Sequence, residues 1–212
     1  MRAILLSSCL LPIILLSGAV QAQPCQVPGP DTVAIVFVID YQHMPVCREF
    51  MGGSLVVDAY LVLINPTAES GIAGWELGLD IDLGPQLLID FVVIGAPIIL
   101  PPELPDLQVG LANCLAWNPV IHLATLTFLV LYPDPMPFYI RPVANATIPD
   151  QIVYSPCDDP MSFIPMYTIN EGWDVPVAML NGTDCDIAPV LCADPSIPNG
   201  KLSWGSVKSL YR

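Results

Sequence analysis

The chain has 212 residues, 20 acidic against 6 basic side chains and a formal net charge of −14. That balance repels phosphate backbones and anionic lipid headgroups, so nucleic-acid binding and simple membrane-surface roles are excluded first. Apolar residues make up 54% of the chain and only 12% are charged, a composition that fills a core rather than a disordered tail.

The N-terminus reads as a secretory signal over residues 1–22. Arg2 gives a positive start, Ala3 to Leu16 an apolar run, and Val20-Gln21-Ala22 a small-residue cleavage site. The run is too short for a transmembrane helix, which needs about 20 apolar residues. Leu6-Ser7-Ser8-Cys9 imitates a lipoprotein box but has too little apolar sequence before it. The expected location is therefore secreted or cell-surface, with one β domain over 23–193.

Cleavage leaves six cysteines: Cys25, Cys47, Cys114, Cys157, Cys185 and Cys192. In an exported chain an even set points to disulfides, although their pairing stays open. Cys185 with Cys192, and Cys25 with Cys47, are close enough in sequence for local bridges. Metal binding is the rival reading, but no CxxC pair exists and His43 and His122 lie far from the cysteine-rich end.

Chain order then gives a series of strands. Val33 to Asp40 is a β-branched and aromatic run of the kind buried on both faces. Ser54 to Ile64 follows a Gly-Gly loop, and Asn65-Pro66-Thr67 ends it. In Ile72 to Asp82, Trp75, Leu77, Leu79 and Ile81 alternate with Glu76, Gly78, Asp80 and Asp82. Successive strand side chains point to opposite faces, so one face is apolar and the other acidic. Leu87 to Ile94, Leu107 to Ala112, Val120 to Tyr132 and Phe138 to Pro142 continue the pattern, with weaker runs at Gln151 to Tyr154 and Val175 to Leu180. The 24 prolines fall mostly between runs and disfavour helices. The expected fold is all-β, an antiparallel sandwich of jelly-roll or immunoglobulin-like type, with Leu126 and Phe128 joining the apolar face of Ile72 to Asp82 in its core.

Residues 194–200 read as a linker, and the basic aromatic tail 201–212 (KLSWGSVKSLYR) follows. Ser203 is placed to cap a short helix with Trp204, Val207, Leu210 and Tyr211 on one face. Two readings of the tail stand side by side: a sorting or anchoring signal, and a helix that packs on the sandwich.

Catalytic signals are sparse. His43 has no nucleophile nearby, His122 lies in a strand, and no GxSxG, P-loop, dinucleotide or HExxH pattern occurs. Glu76, Asp80 and Asp82 are the one carboxylate set on a common face, where alternate side chains lie roughly 7 Å apart, a separation glycosidases use. The same set serves as an acidic binding face. No cofactor is expected. Calcium is the ion the loops could take, through Asp158-Asp159 and Asp184-x-Asp186, but no DxDxDG framework accompanies them. Asn145 and Asn181 stand in glycosylation sequons.

The segment NPTAESGIAGWELGLDIDL, followed by HLATLTFLVL, resembles the strand pattern of cohesin modules from bacterial scaffold proteins. That resemblance implies a jelly-roll sandwich without a catalytic site, which binds a protein partner. The whole layout also resembles a group of exported bacterial proteins with one cohesin-like sandwich, scattered cysteines and an ending WGxxKxLYR. Trp204, Gly205, Lys208, Leu210, Tyr211 and Arg212 carry that ending here. The expected function is binding, adhesion or assembly with an extracellular protein or glycan as partner. A carbohydrate-binding module or glycan-active enzyme on the acidic strand face is the alternative.

Overall fold

The computed structural model describes residues 25–49, 52–98, 104–170, 172–182, 185 and 188–194. The expected signal 1–22, the linker beyond Asp194 and the tail 201–212 lie outside the described residues.

Fourteen strands and no helix form among the described residues. They are β1 (Thr32–Val36), β2 (Met44–Pro45), β3 (Cys47–Arg48), β4 (Leu55–Ile64), β5 (Ile72–Ile81), β6 (Leu87–Val93) and β7 (Asp106–Leu115). There follow β8 (Val120–Val130), β9 (Met136–Arg141), β10 (Val153–Pro156), β11 (Ile164–Pro165), β12 (Tyr167–Thr168), β13 (Ala178–Leu180) and β14 (Val190–Leu191). One sheet has five strands in the order β12-β1-β4-β8-β6, and a seven-stranded sheet runs β11-β10-β5-β9-β13-β3, with β7 on β5. In the larger sheet, β10 pairs with the first half of β5 and β9 with the second, while β7 lies along the opposite edge. Pairing is antiparallel except for β1 with β12 and β3 with β13.

The apolar faces of the two sheets meet. Phe128 of β8 sets its ring edge against Phe138 of β9 at 5.5 Å between centroids, and Phe37 meets Phe138 at 6.0 Å. Trp75, Leu77, Leu79, Leu126 and Phe128 are all buried, with Ile81 half-buried against them. The all-β sandwich expected from the alternating runs is the fold observed, and these residues form its core. Packing edge-to-face aromatics across the sheets adds about 0.5–1.5 kcal/mol per pair beyond burial.

Three details differ from the sequence reading. The first strand stops at Val36, because Phe37 turns to bond the Pro45 carbonyl and Val38 and Ile39 are exposed. The two-residue strands β2, β3, β11, β12 and β14 carry no readable period, since two residues cannot show alternation. The disulfides are Cys25–Cys192, Cys47–Cys185 and Cys114–Cys157, not the local pairs Cys185–Cys192 and Cys25–Cys47. The cause is topological. β14 pairs with β2, and Gln26 bridges to Leu191, which draws the two ends of the domain together.

Candidate functional site

On β5 the side chains opposite Trp75, Leu77 and Leu79 face away from the core, and two of them are absent. Gly74 lies in register with Gly110 of β7 on one side and Ser155 of β10 on the other. Two adjacent strands therefore carry no side chain in this row and the third only the small Ser155, a nearly bare lane across the outer face of the larger sheet, about 10 Å wide from its two strand spacings. A Cβ on Gly74 would lie 2.6 Å from the Val109 carbonyl oxygen, so the close approach of the two backbones requires glycine there. The lane floors an open groove of about 590 Å³. Ile98, 67% exposed, and Phe163, 39% exposed, form its apolar walls.

One row further along lies Glu76, opposite Gln108 and Val153. It is only 7% exposed. Its Oε1 accepts the Thr147 backbone N–H at 2.7 Å, and its Oε2 accepts the Thr147 hydroxyl and the Gln108 amide, each at 2.8 Å. A buried carboxylate is stable in that position because its lone pairs are filled by donors. Glu76 thus departs from the solvent-facing acid expected of it: the loop carrying Thr147 folds down over the acidic side of β5.

Asp80 is also engaged. It receives Arg141 in a two-pronged ion pair at 2.6 and 3.2 Å, and Arg141 reaches on to Asp106 at 2.8 Å. Asp80, ahead of Asp106, raises the Arg141 pKa above its ordinary value. A Cβ on Gly78 would strike the Arg141 guanidinium, so this glycine lets the arginine cross β5. Asp82 is exposed and accepts the Gly84 N–H at 3.3 Å. The three acids therefore occupy three different settings: one buried, one ion-paired, one in a turn.

The remaining candidates are scattered. His122 Nε2 bonds the Ala124 carbonyl and the Thr125 hydroxyl, and its ring meets Tyr60 edge-on. Burial lowers its pKa, against a smaller opposite effect of the Ala124 carbonyl, which favours the neutral ring. His43 is exposed in a turn. Asp158 accepts the Ser70 hydroxyl at 2.6 Å, and no group of three or more His, Cys, Asp or Glu among the described residues is placed to hold a metal. Asp184 and Asp186, like Trp204 to Arg212, lie outside the described residues. Asn181 is buried, its amide donating to the carbonyls of Tyr132 and Asp134, whereas Asn145 is exposed.

The signal for this lane in the sequence is glycine inside a strand, at Gly74 and Gly110, which marks a close backbone approach.

No family model and no curated protein matches the sequence. Among solved structures, the chain is similar to a type II cohesin domain. That domain comes from the cellulosome of Acetivibrio cellulolyticus; the match has 14% identity and a TM-score of 0.44, and covers 71% of this chain and 95% of that one.

Proposed function

We propose that this chain is an exported, non-enzymatic β-sandwich that binds a partner protein in adhesion or assembly, at the glycine lane of the larger sheet. The observation that carries this reading is the combination of a bare lane with acids already committed. Glu76 is saturated by three donors and Asp80 is held by Arg141, so neither is a free carboxylate for acid–base or nucleophilic work. The lane instead offers backbone relief and the apolar walls Ile98 and Phe163, which suit an inserted apolar side chain of a partner. Export rests on the signal-like residues 1–22, and three disulfides agree with folding outside a reducing compartment.

The test is capture of extracellular proteins on the immobilised mature chain, compared with an Ile98→Asp/Phe163→Asp double variant. Both side chains are exposed, so the fold should survive. A specific partner retained by the wild type and lost by the variant is the expected result. Equal retention on both sinks the lane as the docking surface. A carbohydrate is the second ligand to examine, because Phe163 lies beside a flat floor; glycan-array binding that the same variant abolishes would favour it.

A further inference from the structure

The outer face of the five-stranded sheet is open along its β6 edge, and its register is ordered by chemistry. Val56, Leu129 and Leu87 form one row across β4, β8 and β6. Asp58, Thr127 and Asp90 form the next, and Tyr60, Thr125 and Val92 the third. An acidic row thus runs between two mainly apolar ones, with rows about 7 Å apart. Val56 is 56% exposed, Leu87 51% and Val92 46%, and β6 ends the sheet. An apolar edge strand in this condition is ordinarily covered.

The chain's own charges indicate the cover. Between residues 25 and 194 the only cations besides histidine are Arg48 and Arg141, on β3 and β9 of the other sheet. Residues 201–212 hold Lys201, Lys208 and Arg212 and no acid. In a helix started at Ser203, Trp204, Lys208 and Tyr211 would share one face, at i, i+4 and i+7. Their axial steps of about 6 and 4.5 Å give aromatic, cation and aromatic in the order that the sheet gives apolar, acid and apolar.

Reach is sufficient. The Asp194 N–H bonds the Asn65 side chain at 3.1 Å, just past the end of β4. Asp58 lies six strand residues back, about 20 Å, and the nine residues 195–203 extend up to about 30 Å. A second copy is a poor alternative, since two faces of a chain with net charge −14 repel each other.

We infer that residues 201–212 dock in cis on this face, with Lys208 between Asp58 and Asp90 and with Trp204 and Tyr211 on the flanking apolar rows. The inference stands on the sheet opposite the glycine lane and is independent of it.

Carbodiimide coupling of the full mature chain, read by peptide mass spectrometry, tests it. No lysine lies between residues 25 and 194, so amide links start only from Lys201, Lys208 or the amino terminus. The expected product is monomer with Lys208 joined to Asp58 or Asp90. In Asp90→Asn, a change at an exposed edge position with no burden on folding, the remaining Lys208–Asp58 link should fall about fivefold, the weight of one surface ion pair. In the wild type the yield should fall as salt rises. Equal coupling to distant acids such as Glu49 or Asp134, coupling found only between chains, or no coupling at all would each overturn the inference.

Discussion

Tyr154 joins the two sheets through a single phenol. Its hydroxyl donates to Asp31 Oδ1 at 2.6 Å, just before β1, and accepts the Ala68 N–H at 3.2 Å from the β4–β5 turn. Thr67 gives its backbone N–H and hydroxyl to the same Asp31 carboxylate. Asp31 has a φ of 54°, a left-handed conformation that aspartate tolerates better than most residues. Burial, then the hydrogen bond to Asp31, pushes the Tyr154 pKa up to about 12. The folded state therefore keeps the proton that the unfolded chain releases near pH 10. Stability from this group is complete below pH 10 and declines as pH rises from 10 towards 12. Denaturant unfolding at pH 8 and pH 11 should show a larger loss for the wild type than for Tyr154→Phe. The variant should also start lower at pH 8 by about 1 kcal/mol, the net value of a hydrogen bond. Parallel pH curves for the two proteins would refute this role.

β5 pairs with β7, β9 and β10, and Trp75 is its largest core side chain. Trp75→Ala is expected to cost about 3–5 kcal/mol in urea unfolding, from lost burial and the cavity left behind. The Trp75 indole N–H is buried without a hydrogen-bond partner. Trp75→Phe removes that orphaned donor with most of the ring area kept, and should lose far less than the alanine variant. This strand also shows how far sequence carries. Its alternation fixes which residues enter the core, because the two-residue period is a property of the strand alone. The burial of Glu76 was not legible, since the donors that fill it sit on Thr147 and Gln108, brought in by folding from 71 and 32 residues away. The strands β2, β3 and β14 are two residues long, too short to show a period. Their pairing is set by partners distant in the chain, not by any local pattern.

Disulfides distribute the covalent restraint of the domain unevenly. Cys25–Cys192 closes a separation of 167 residues, Cys47–Cys185 one of 138 and Cys114–Cys157 one of 43. In the loop-entropy account, removing a native bridge costs about 2–5 kcal/mol and the longer loop weighs more by about 1 kcal/mol. Cys25→Ser/Cys192→Ser should therefore lower the thermal midpoint further than Cys114→Ser/Cys157→Ser does. The reverse order would point to the restraint of the β5–β7 and β10 region as the dominant one.

The longest bridge has a mechanical meaning as well. Residues 25 and 192 are one covalent link apart, so tension that enters the chain before Cys25 and leaves after Cys192 crosses through sulfur alone. The strands between them carry none of that load, and the sandwich keeps its shape under pull. Reduction of that bond alone would pass the load to residues 25–47 and 185–192, with β1 among them, and on through the nested Cys47–Cys185 bridge, so the two bridges would yield to a pull in sequence, the outer before the inner.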